Sequence, residues 1–502
     1  MASRIRMPGS AAAATVPALL AGVFALAGCS LAPAYHVPPT PIAAHYQAVG
    51  PWVSAQPADR LSRTGWWKIY HDPQLDDLEQ RLLANNTDLA AAYAHYRQAQ
   101  AFVDEVSSDL FPHVSVNAVP QRDRQSDTRP LRAGGPDYYN SATLGGEVDY
   151  DLDLWGRVRD TVAAGKDEAQ AAQADLASVQ LSLQIQLADS YIRLRGLDQQ
   201  TQLLTDTVAA YARALELTQT LHGGGIVSGL DVSRAKTQLS ATKSQLSQNV
   251  AQRALIEHAI AELIGASASE FSLPPKTASI ALPVIPVGVP STLLQRRPDI
   301  AAAERRVAEA NAQIGVARAA WFPSITLSLQ GGFQSAAYAG LISAPNIFWA
   351  IGPQLVQYVF DGGLRRAKLA SARAATDEAG ARYRGVVLSA FQQIEDNLSL
   401  LQDLGTALDQ QRDAVDSAQH ALDLALARYR QGAVGYLDVV QAQTAALDAQ
   451  RGVLDLQTRL LSANVQLVKA LGGGWSSEEL AVAAHAPALV ANSGAGGTPS
   501  SR

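Results

Sequence analysis

The sequence predicts a mainly α-helical protein that also carries a few membrane β-strands and is built as a tandem duplication. Two halves of the chain align at a nearly constant offset, and each half contains long proline-free stretches with helical periodicity. Short stretches between these helices alternate apolar and polar residues, as strands do. With 47% apolar and only 17% charged residues, the 502-residue chain has enough hydrophobic surface for a packed structure.

The first 28 residues have the pattern of a secretory signal. Arg4 and Arg6 precede an apolar stretch, 11–27, that is too short to span a membrane. Cys29, the only cysteine of the chain, follows small residues in a pattern that resembles a bacterial lipobox, and Ser30 follows it as in outer-membrane lipoproteins. We therefore expect removal of 1–28 and a lipidated, extended segment over 29–60. A plain signal peptide that happens to contain a cysteine is the alternative.

Composition and motifs argue against several classes of function. The formal charge is −6 and no long Lys/Arg run occurs, so a nucleic-acid partner is not expected. One cysteine and nine scattered histidines predict neither a disulfide nor a metal site. No nucleophile elbow, P-loop or dinucleotide fingerprint appears, so we expect no enzyme and no cofactor beyond the lipid on Cys29.

The duplication has two anchored alignments. Asp88–Pro112 matches Asp299–Pro323 at an offset of 211, and Gly156–Gly265 matches Gly363–Gly472 at an offset of 207. The change of four residues lies between Pro112 and Gly156, where a loop is expected. The predicted organisation is a first repeat over 61–266, a Pro-rich strap over 267–290, a second repeat over 291–472 and a disordered tail over 473–502.

Each repeat is predicted to contain a long helical hairpin. After Gly156, apolar residues recur at helical spacing in two stripes, which predicts a helix of about 65 residues, roughly 100 Å long, packed against neighbours as in a coiled coil. Its return helix, Leu230–Ile264, is shorter, so Thr87–Leu110 is expected to match the remaining length. Glycines mark the two hairpin tips, at 222–229 and at 431–436.

Four strands are predicted, two in each repeat. Alternation places them at about 112–121 and 138–152, then at about 323–332 and 346–360. No later apolar segment could form a transmembrane helix, so a membrane span would have to be a closed β-barrel. Four strands are too few to close one, whereas three chains would supply twelve.

Three tryptophans stand at or near the ends of the predicted strands. They are Trp155, Trp321 and Trp349. Tryptophan is enriched where a membrane meets water, so these residues are candidates for an aromatic belt. The alternative is that they are ordinary core tryptophans, since three residues do not make a belt.

Several motifs in chain order carry a resemblance to a known family. They are Gly65-Trp66-Trp67, Asp72-Pro73, Asn86-Thr87-Asp88-Leu89, Arg296-Arg297-Pro298-Asp299-Ile300, Ala312-Gln313-Ile314-Gly315, Phe322-Pro323, Phe360-Asp361-Gly362-Gly363 and Leu471-Gly472-Gly473-Gly474-Trp475. Together with the duplication and the lipobox, they resemble the outer membrane factor family of TolC/OprM-like channels, and most of all its lipidated NodT-type branch. The resemblance covers nearly the whole mature chain.

This resemblance implies a homotrimer with a twelve-stranded barrel in the outer membrane and a helical tunnel across the periplasm. It also implies a periplasmic adaptor and an inner-membrane RND-type pump as partners, with passive export of drugs and other toxic small molecules. Two alternatives stay open. One is the duct of a peptide or protein secretion system, and the other is a lipid-tethered periplasmic coiled-coil scaffold.

The resemblance further places a closed periplasmic entrance at the tip of the second repeat. Three copies of Asp438 would then form an acidic ring that attracts cations, with Tyr436 and Leu437 as steric partners and Tyr429 as a latch residue. Gln441 stands one turn on, where the TolC branch often has a further acidic residue. An apolar plug with one acidic ring is therefore expected, as in the OprM branch.

Small residues at both tips are the candidate contacts of the adaptor. They are Gly223, Gly224, Gly225, Val227, Ser228, Gly229, Gly432, Val434 and Gly435. Helix termination explains some of these glycines by itself, and the two roles are compatible. Similarly, Asp231 and Asp438 follow the tips and have a purely structural interpretation as helix N-caps.

Overall fold

The computed structural model describes residues 30–40, 65–124, 126, 137–285 and 296–473. The predicted signal peptide, Cys29 and nearly all of the predicted tail lie outside the described residues. The helices are α1 (Pro73–Asn85), α2 (Thr87–Ser108), α3 (Arg157–Gly223), α4 (Gly229–Leu263), α5 (Pro298–Ala319), α6 (Leu364–Arg430) and α7 (Tyr436–Ala470). The strands are β1 (His113–Arg124), β2 (Tyr138–Asp151), β3 (Ser324–Ser335) and β4 (Ile347–Val356).

The tandem duplication predicted from the sequence is confirmed by these bounds. Helices α2 and α5, and likewise strands β1 and β3, begin and end 211 residues apart. The helices of the first hairpin, α3 and α4, have the same bounds as α6 and α7 after a shift of 207 residues. The two long helices have 67 residues each and the return helices 35 each, in agreement with the long and short partners expected.

The described residues form two compact units. The sheet unit holds the residues up to Pro38, His95–Ala172 and Ala303–Tyr383, and the hairpin unit holds Pro39–Ala94, Gln173–Ala302 and the chain from Arg384 onward. In the part of the chain that the structure describes, none of the helices has the length and apolar character needed to cross a membrane.

In the sheet unit, the four strands form one antiparallel sheet in the order β1-β2-β3-β4. The last predicted strand, 346–360, is shorter than expected, because β4 ends at Val356 and residues 357–360 belong to no strand. Val356 pairs with Ser324, the first residue of β3, and Pro323 before it has no N–H for a further ladder bond. Strand β4 therefore ends opposite the first residue of β3, which is its only partner strand among the described residues.

In the hairpin unit, both repeats fasten the end of the return helix in the same way. Asn86 donates from Nδ2 to the carbonyl of Leu263, the last residue of α4, at 2.8 Å. At the equivalent place in the second repeat, Arg297 donates to the carbonyl of Ala470, the last residue of α7, at 3.1 Å. Each side chain satisfies a terminal carbonyl that lacks an intrahelical partner, which gives two of the family-like motifs a structural role.

The Pro-rich strap, as far as it is described, is held by a buried ionic cluster of the hairpin unit. Asp198 accepts hydrogen bonds from Arg195 and Arg253, each at 2.6 Å, and from the main-chain nitrogen of Lys276 at 3.0 Å. Arg195 also donates to the carbonyl of Pro274 at 3.0 Å. These bonds tie the strap to α3 and α4.

Candidate functional site

One face of the sheet is apolar across all four strands. Val114, Val148, Leu329 and Ile351 form a single row, because each is the register partner of the next. Neighbouring rows add Tyr150, Leu327, Ile325, Leu355, Trp349 and Ile347. Many of these side chains are open to solvent in a single chain, up to 74% for Val114 and 73% for Trp349. An apolar face of this extent indicates a partner, either lipid or protein.

The opposite face of the sheet is polar. On this face, one row across β1, β2 and β3 consists of Ser115, Glu147 and Gln330. Ser328 donates to Asp149 at 2.5 Å and Thr326 donates to Asp151 at 2.7 Å, which links β3 to β2 on this face. The alternation predicted from the sequence thus separates an apolar from a polar surface.

Both edges of this sheet are free in the described chain. Strand β1 pairs only with β2, and β4 pairs only with β3. Long exposed edges leave rows of unpaired N–H and C=O groups that favour pairing with another strand. The sheet is therefore suited to continue into neighbouring copies.

The three tryptophans proposed for an aromatic belt lie in different surroundings. Trp155 is half-buried, donates to the carbonyl of Pro323 at 2.8 Å and stacks on Phe322 with 4.6 Å between ring centroids. Trp321 is exposed, and its ring centroid lies 5.2 Å from the guanidinium carbon of Arg365. Trp349 lies on the exposed apolar face. Trp155 therefore has a packing role, and the other two remain available to a membrane interface.

The two hairpin tips have the same backbone geometry. Gly225 and Gly432 have φ angles of 73° and 74°, in the left-handed region that favours glycine. In the first tip, Ile226 N donates to Leu221 O at 2.9 Å, and in the second, Ala433 N donates to Arg428 O at 2.9 Å. These bonds close the ends of α3 and α6 in the manner of a Schellman motif.

The aspartates that follow the tips differ in their partners. Neither is an N-cap, because Ser228 and Gly435 occupy that position and Asp231 and Asp438 lie three residues further. Asp231 forms a capping box with Ser228, accepting from its main-chain nitrogen at 3.3 Å. Gly435 has no hydroxyl, and Asp438 is exposed without a side-chain hydrogen bond or ion pair among the described residues. The N-cap interpretation is therefore wrong for both aspartates, and only Asp231 takes part in capping, as the N3 residue of a capping box.

The tyrosines predicted beside the gate are buried between the two hairpins. Tyr429 and Tyr436 pack edge to face with 5.3 Å between ring centroids, in a cluster with Ala235 and Val439. Burial, and next the neighbouring Tyr429, raises the pKa of Tyr436 to about 12. Asp438, in contrast, is exposed, as are Leu437 and Gln441.

The candidate adaptor contacts lie mostly on the surface of the tips. An added Cβ would meet no atom within 4 Å at Gly223, Gly225, Gly432 or Gly435. Gly223 and Gly435 also have no positive φ, so neither space nor backbone conformation within the chain requires glycine there.

The first described residues are fastened to the helices of the sheet unit. Ser30 donates to Asp160 Oδ1 at 2.6 Å, Arg318 donates to Leu31 O at 2.9 Å, and Asn311 donates to Pro33 O at 2.8 Å. Tyr35 then donates to the Glu304 carboxylate. The segment after Cys29 is thereby held along α5.

Asp160 was not singled out from the sequence. It is 4% exposed, and its Oδ2 atom has no hydrogen-bond partner among the described residues. Burial raises the pKa of Asp160, and the Ser30 hydroxyl and the Leu31 main-chain N–H, which donate toward its carboxylate, oppose this rise. A Cβ on Gly315 would lie 2.1 Å from Oδ2, so only glycine fits there. Gly315 belongs to the motif Ala312-Gln313-Ile314-Gly315, whereas no pattern in the sequence marks Asp160.

Comparison with known proteins decides the family. The family model described as outer membrane efflux protein matches residues 78–266 and 289–473, which together exceed half of the chain. The chain belongs to the outer membrane efflux protein family. The predicted family, efflux function and outer-membrane location are thereby confirmed.

Relatives of this outer membrane efflux protein include pump components of Pseudomonas. The toluene efflux pump outer membrane protein TtgC of Pseudomonas putida is 33% identical over 455 residues, covering 90% of this chain and 94% of TtgC. The pyoverdine export outer membrane protein OpmQ of Pseudomonas aeruginosa is 32% identical, covering 91% of this chain and 98% of OpmQ.

Solved channel structures share the fold of this efflux protein. The outer-membrane channel OprN matches with a TM-score of 0.81 at 32% identity, over 89% of this chain and 100% of OprN. The open state of the Neisseria gonorrhoeae MtrE outer membrane channel matches with a TM-score of 0.79 at 27% identity, over 89% of this chain and 98% of MtrE. In the described residues no group of three or more His, Cys, Asp and Glu side chains could hold a metal ion.

Proposed function

We propose that this protein is the outer-membrane channel of a tripartite efflux system, assembled from three copies. The observation that carries this proposal is the four-stranded sheet with one apolar face, one polar face and two free edges. A closed barrel is the form in which strands can cross lipid, and the smallest barrels have eight strands. Three copies supply twelve, with the apolar face toward lipid and the polar face toward a water-filled lumen.

Helix α2 supports the assembly of several copies. None of its residues is buried in a single chain, and Phe102 on it is 46% exposed. A helix whose aromatic side chains stay open in one chain is expected to pack against a neighbouring copy. The channel conducts passively and needs no catalytic residue, since the energy for export comes from an inner-membrane pump.

The cargo proposed for the channel is small molecules. TtgC is named for toluene efflux and OpmQ for pyoverdine export, and this chain matches nearly the whole length of each. A periplasmic adaptor and an RND-type pump are the partners that this function requires. The pump is expected to select the cargo, so the duct contributes size and charge limits only.

The second hairpin tip is proposed as the periplasmic gate. Asp438, Leu437 and Gln441 are exposed near the start of α7, so they can face the axis of a trimer. Asp438 has no cap partner to hold its carboxylate, which leaves the charge free for a ring with its two copies. The packing of Tyr429 on Tyr436 holds the end of α6 against the start of α7.

The tips are also proposed to receive the adaptor. The open space around Gly223 and Gly435 permits close approach of another helix. A large side chain at either position would block that approach without a clash inside the chain, and this distinguishes a docking role from a folding role.

Cys29 is proposed to carry lipid, with acyl groups on its thiol and on its amine. Two or more acyl chains anchor a protein stably, whereas one gives reversible binding. Support comes from the residues that follow Cys29, because Ser30 is bonded to Asp160 in the first turn of α3 and Leu31 to Arg318 in the last turn of α5.

The decisive test is the drug and solvent susceptibility of a deletion strain, complemented with the wild-type gene and with Cys29→Ser. Hypersensitivity to unrelated compounds that the wild type restores supports efflux, and the Cys29 variant reports whether lipid is needed. Unchanged susceptibility, together with loss of a secreted peptide or protein, would contradict it and favour a secretion duct. Failure to obtain heat-modifiable trimers with β-structure from detergent extracts would instead favour a tethered coiled-coil scaffold.

A further inference from the structure

The two hairpins of the sheet have equivalent registers. His113 of β1 lies opposite Asp149 of β2, and Ser324 of β3 lies opposite Val356 of β4. Ser324 follows His113 by 211 residues and Val356 follows Asp149 by 207, so these are equivalent pairs of the two repeats. The two offsets that relate the repeats in sequence therefore also relate the pairing of their strands.

Strands β2 and β4 differ at the end that leads into a long helix. The β1–β2 ladder stops at Asp149, because β1 begins opposite it. Strand β2 nevertheless continues to Asp151, since its last two residues pair with β3 on the other edge. The β3–β4 ladder stops at the equivalent residue, Val356, and the next two residues, 357–358, belong to no strand. A second neighbour, which β2 has and β4 lacks in one chain, accounts for the difference.

The end of β4 and the free edge of β1 are apolar and exposed. Val359 and Phe360 are 91% and 89% exposed, and Val114 on β1 is 74% exposed. The backbone groups along these two edges also have no strand partner in the described part of the chain. One further strand on each edge would cover the apolar groups and pair the backbone groups.

We propose that β4 of each copy pairs with β1 of the next copy in the register that joins β2 to β3 within one chain. Within the chain, Asp151 lies opposite Thr326. Their equivalents under the two offsets are Tyr358 and Ser115 of the next copy. Strand β4 then extends by two residues to Tyr358 and ends where β2 ends. The proposal rests on the trimer of the proposed function and specifies the contact between its strands.

A backbone hydrogen bond extends the same register. Leu152, just after β2, donates from its main-chain nitrogen to the carbonyl of Ile325 at 2.8 Å. The equivalent bond between copies runs from the main-chain nitrogen of Val359 to the carbonyl of Val114 of the next copy. Two valines that are exposed in one chain then lie side by side, which favours this register over a slip by one residue.

The contact joins two different edges, and this decides the occupant. Pairing of two identical edges, β4 with β4 or β1 with β1, would be a two-fold contact that leaves the remaining edges free. Pairing of β4 with β1 is a head-to-tail contact, which uses both edges of every copy and can close into a ring.

Two prolines limit the length of the proposed ladder. Pro120 on β1 and Pro353 on β4 are the equivalents of Gly331 and Gly146, which are register partners within the chain. The prolines would therefore lie opposite each other between copies, and neither has an N–H to donate. The proposed register covers 354–359 of β4, beyond this interruption. Proline on a free edge also hinders pairing with wrong strands before assembly.

Engineered cysteines in the full-length protein test the register. Ser115→Cys, Asn117→Cys, Val356→Cys and Tyr358→Cys are combined two at a time. The matched pairs are Tyr358→Cys with Ser115→Cys and, two residues further along the ladder, Val356→Cys with Asn117→Cys. Exchanging the partners gives two pairs from the same four substitutions that are shifted by two residues. The wild type, with Cys29 as its only cysteine, is the background control.

The distances between strands decide which pairs form a disulfide. Because Leu152 donates to Ile325, the adjacent pair Asp151–Thr326 is not hydrogen-bonded, and this brings its side chains closer. Cβ atoms directly opposite lie about 4.5–5.5 Å apart, and those of diagonal neighbours lie about 7 Å apart. We expect matched pairs to form disulfide-linked dimers and trimers at least about tenfold faster than shifted pairs under mild oxidation.

Three results would overturn the proposal. Shifted pairs that link as fast as matched pairs would show a different register. A linked dimer of Tyr358→Cys alone would show pairing of two β4 edges. Both matched pairs could also fail to link while the equivalent pair within one chain, Asp151→Cys with Thr326→Cys, oxidises readily. That result would show that β4 does not lie beside β1 of the next copy.

Hydrogen exchange of the unsubstituted trimer gives a readout that needs no engineered cysteine. The amides of 357–360 should exchange at least about tenfold more slowly than in the same peptide free in solution, because the Val359 N–H is bonded. Exchange at the rate of the free peptide would contradict the proposal. Heat-modifiable trimers that fail these tests overturn the register alone, whereas a protein that forms no trimer overturns the proposed function as well.

Discussion

The matched aspartates Asp231 and Asp438 separate a folding role from a gating role. They are equivalent in the two repeats, and each lies three residues after an N-cap residue. Asp231 is engaged by Ser228 in a capping box, whereas Asp438 follows Gly435 and has no such bond. Replacing each by alanine therefore removes the same group from two different environments.

The expected changes in stability follow from these contacts. Asp231→Ala loses the capping box, at a cost of about 1 kcal/mol. Asp438→Ala loses only the favourable position near the helix N-terminus, about 0.3–1 kcal/mol. The melting temperatures of detergent-solubilised variants should therefore fall more for Asp231→Ala than for Asp438→Ala.

The expected changes in conductance have the opposite order. A divalent cation about 4 Å from a carboxylate gains about 2 kcal/mol even at the dielectric constant of water, and three copies of Asp438 would contribute together. Asp438→Ala should therefore weaken block by divalent cations more than about tenfold in planar bilayers, or raise the basal conductance. Asp231→Ala should leave both unchanged.

Two results would refute this reasoning. Unchanged block and unchanged basal conductance in Asp438→Ala would mean that the carboxylate does not face the pore entrance. Equal loss of block in both variants would mean that the effect arises from weaker hairpins and not from a charge at the gate.

Three further predictions concern the tip, the strap and the pH dependence. Gly435→Ser should supply the missing cap partner and raise the free energy of unfolding by about 0.3 kcal/mol. Because the new hydroxyl would engage Asp438, the variant should also show weaker block by divalent cations. A melting temperature at or below that of the wild type would contradict this prediction. Asp198→Asn removes the carboxylate shared by Arg195 and Arg253 and should lower the free energy of unfolding by about 3–5 kcal/mol. New protease cleavage is expected in the strap near residue 274. The control Asp206→Asn, at an exposed site, should change the free energy of unfolding by less than about 0.5 kcal/mol. Equal melting temperatures for these two variants would exclude the ionic cluster as a clamp. Burial, and next the neighbouring Glu168, raises the pKa of Glu309 from 4.5 to about 7, against the opposing charge of Arg306. The folded state therefore binds more protons than the unfolded state between these values, so stability should fall as pH rises from about 4.5 to about 7, and Glu309→Gln should flatten that fall in melting curves.

The regular elements could be predicted from the sequence because their signals are local and repeated. Two anchored offsets, 211 and 207, recur as the offsets between equivalent helices and strands of the structure. Helical periodicity without proline indicated the long helices, and strict alternation indicated the two faces of the sheet. The end of a strand was less predictable, because it depends on the neighbouring strand. Alternation of apolar and polar residues continues to Phe360, but β4 ends at Val356, which pairs with Ser324, the first residue of β3.

The candidate site divides in the same way. The lipobox-like pattern and the glycine-rich tips follow from residue type and spacing, whereas the proposed gate role of Asp438 comes from the family resemblance. The sequence shows Ser228 and Gly435, but it does not show that these residues are the N-caps of α4 and α7. That assignment decides that Asp231 is held in a capping box and Asp438 is not. The sequence also could not reveal that Tyr429 and Tyr436, seven residues apart, pack against each other across a turn.

The sequence by itself determined the family, the duplication and the helical and strand content, since each depends on residue order along the chain. Only the tertiary structure decided which charges are paired and which are free. Asp198 meets Arg253 across 55 residues, Asp160 meets Ser30 across 130 residues, and Asp438 meets no side-chain partner among the described residues. Contacts between distant segments set burial and hydrogen bonding, and these properties have no signature in the local sequence.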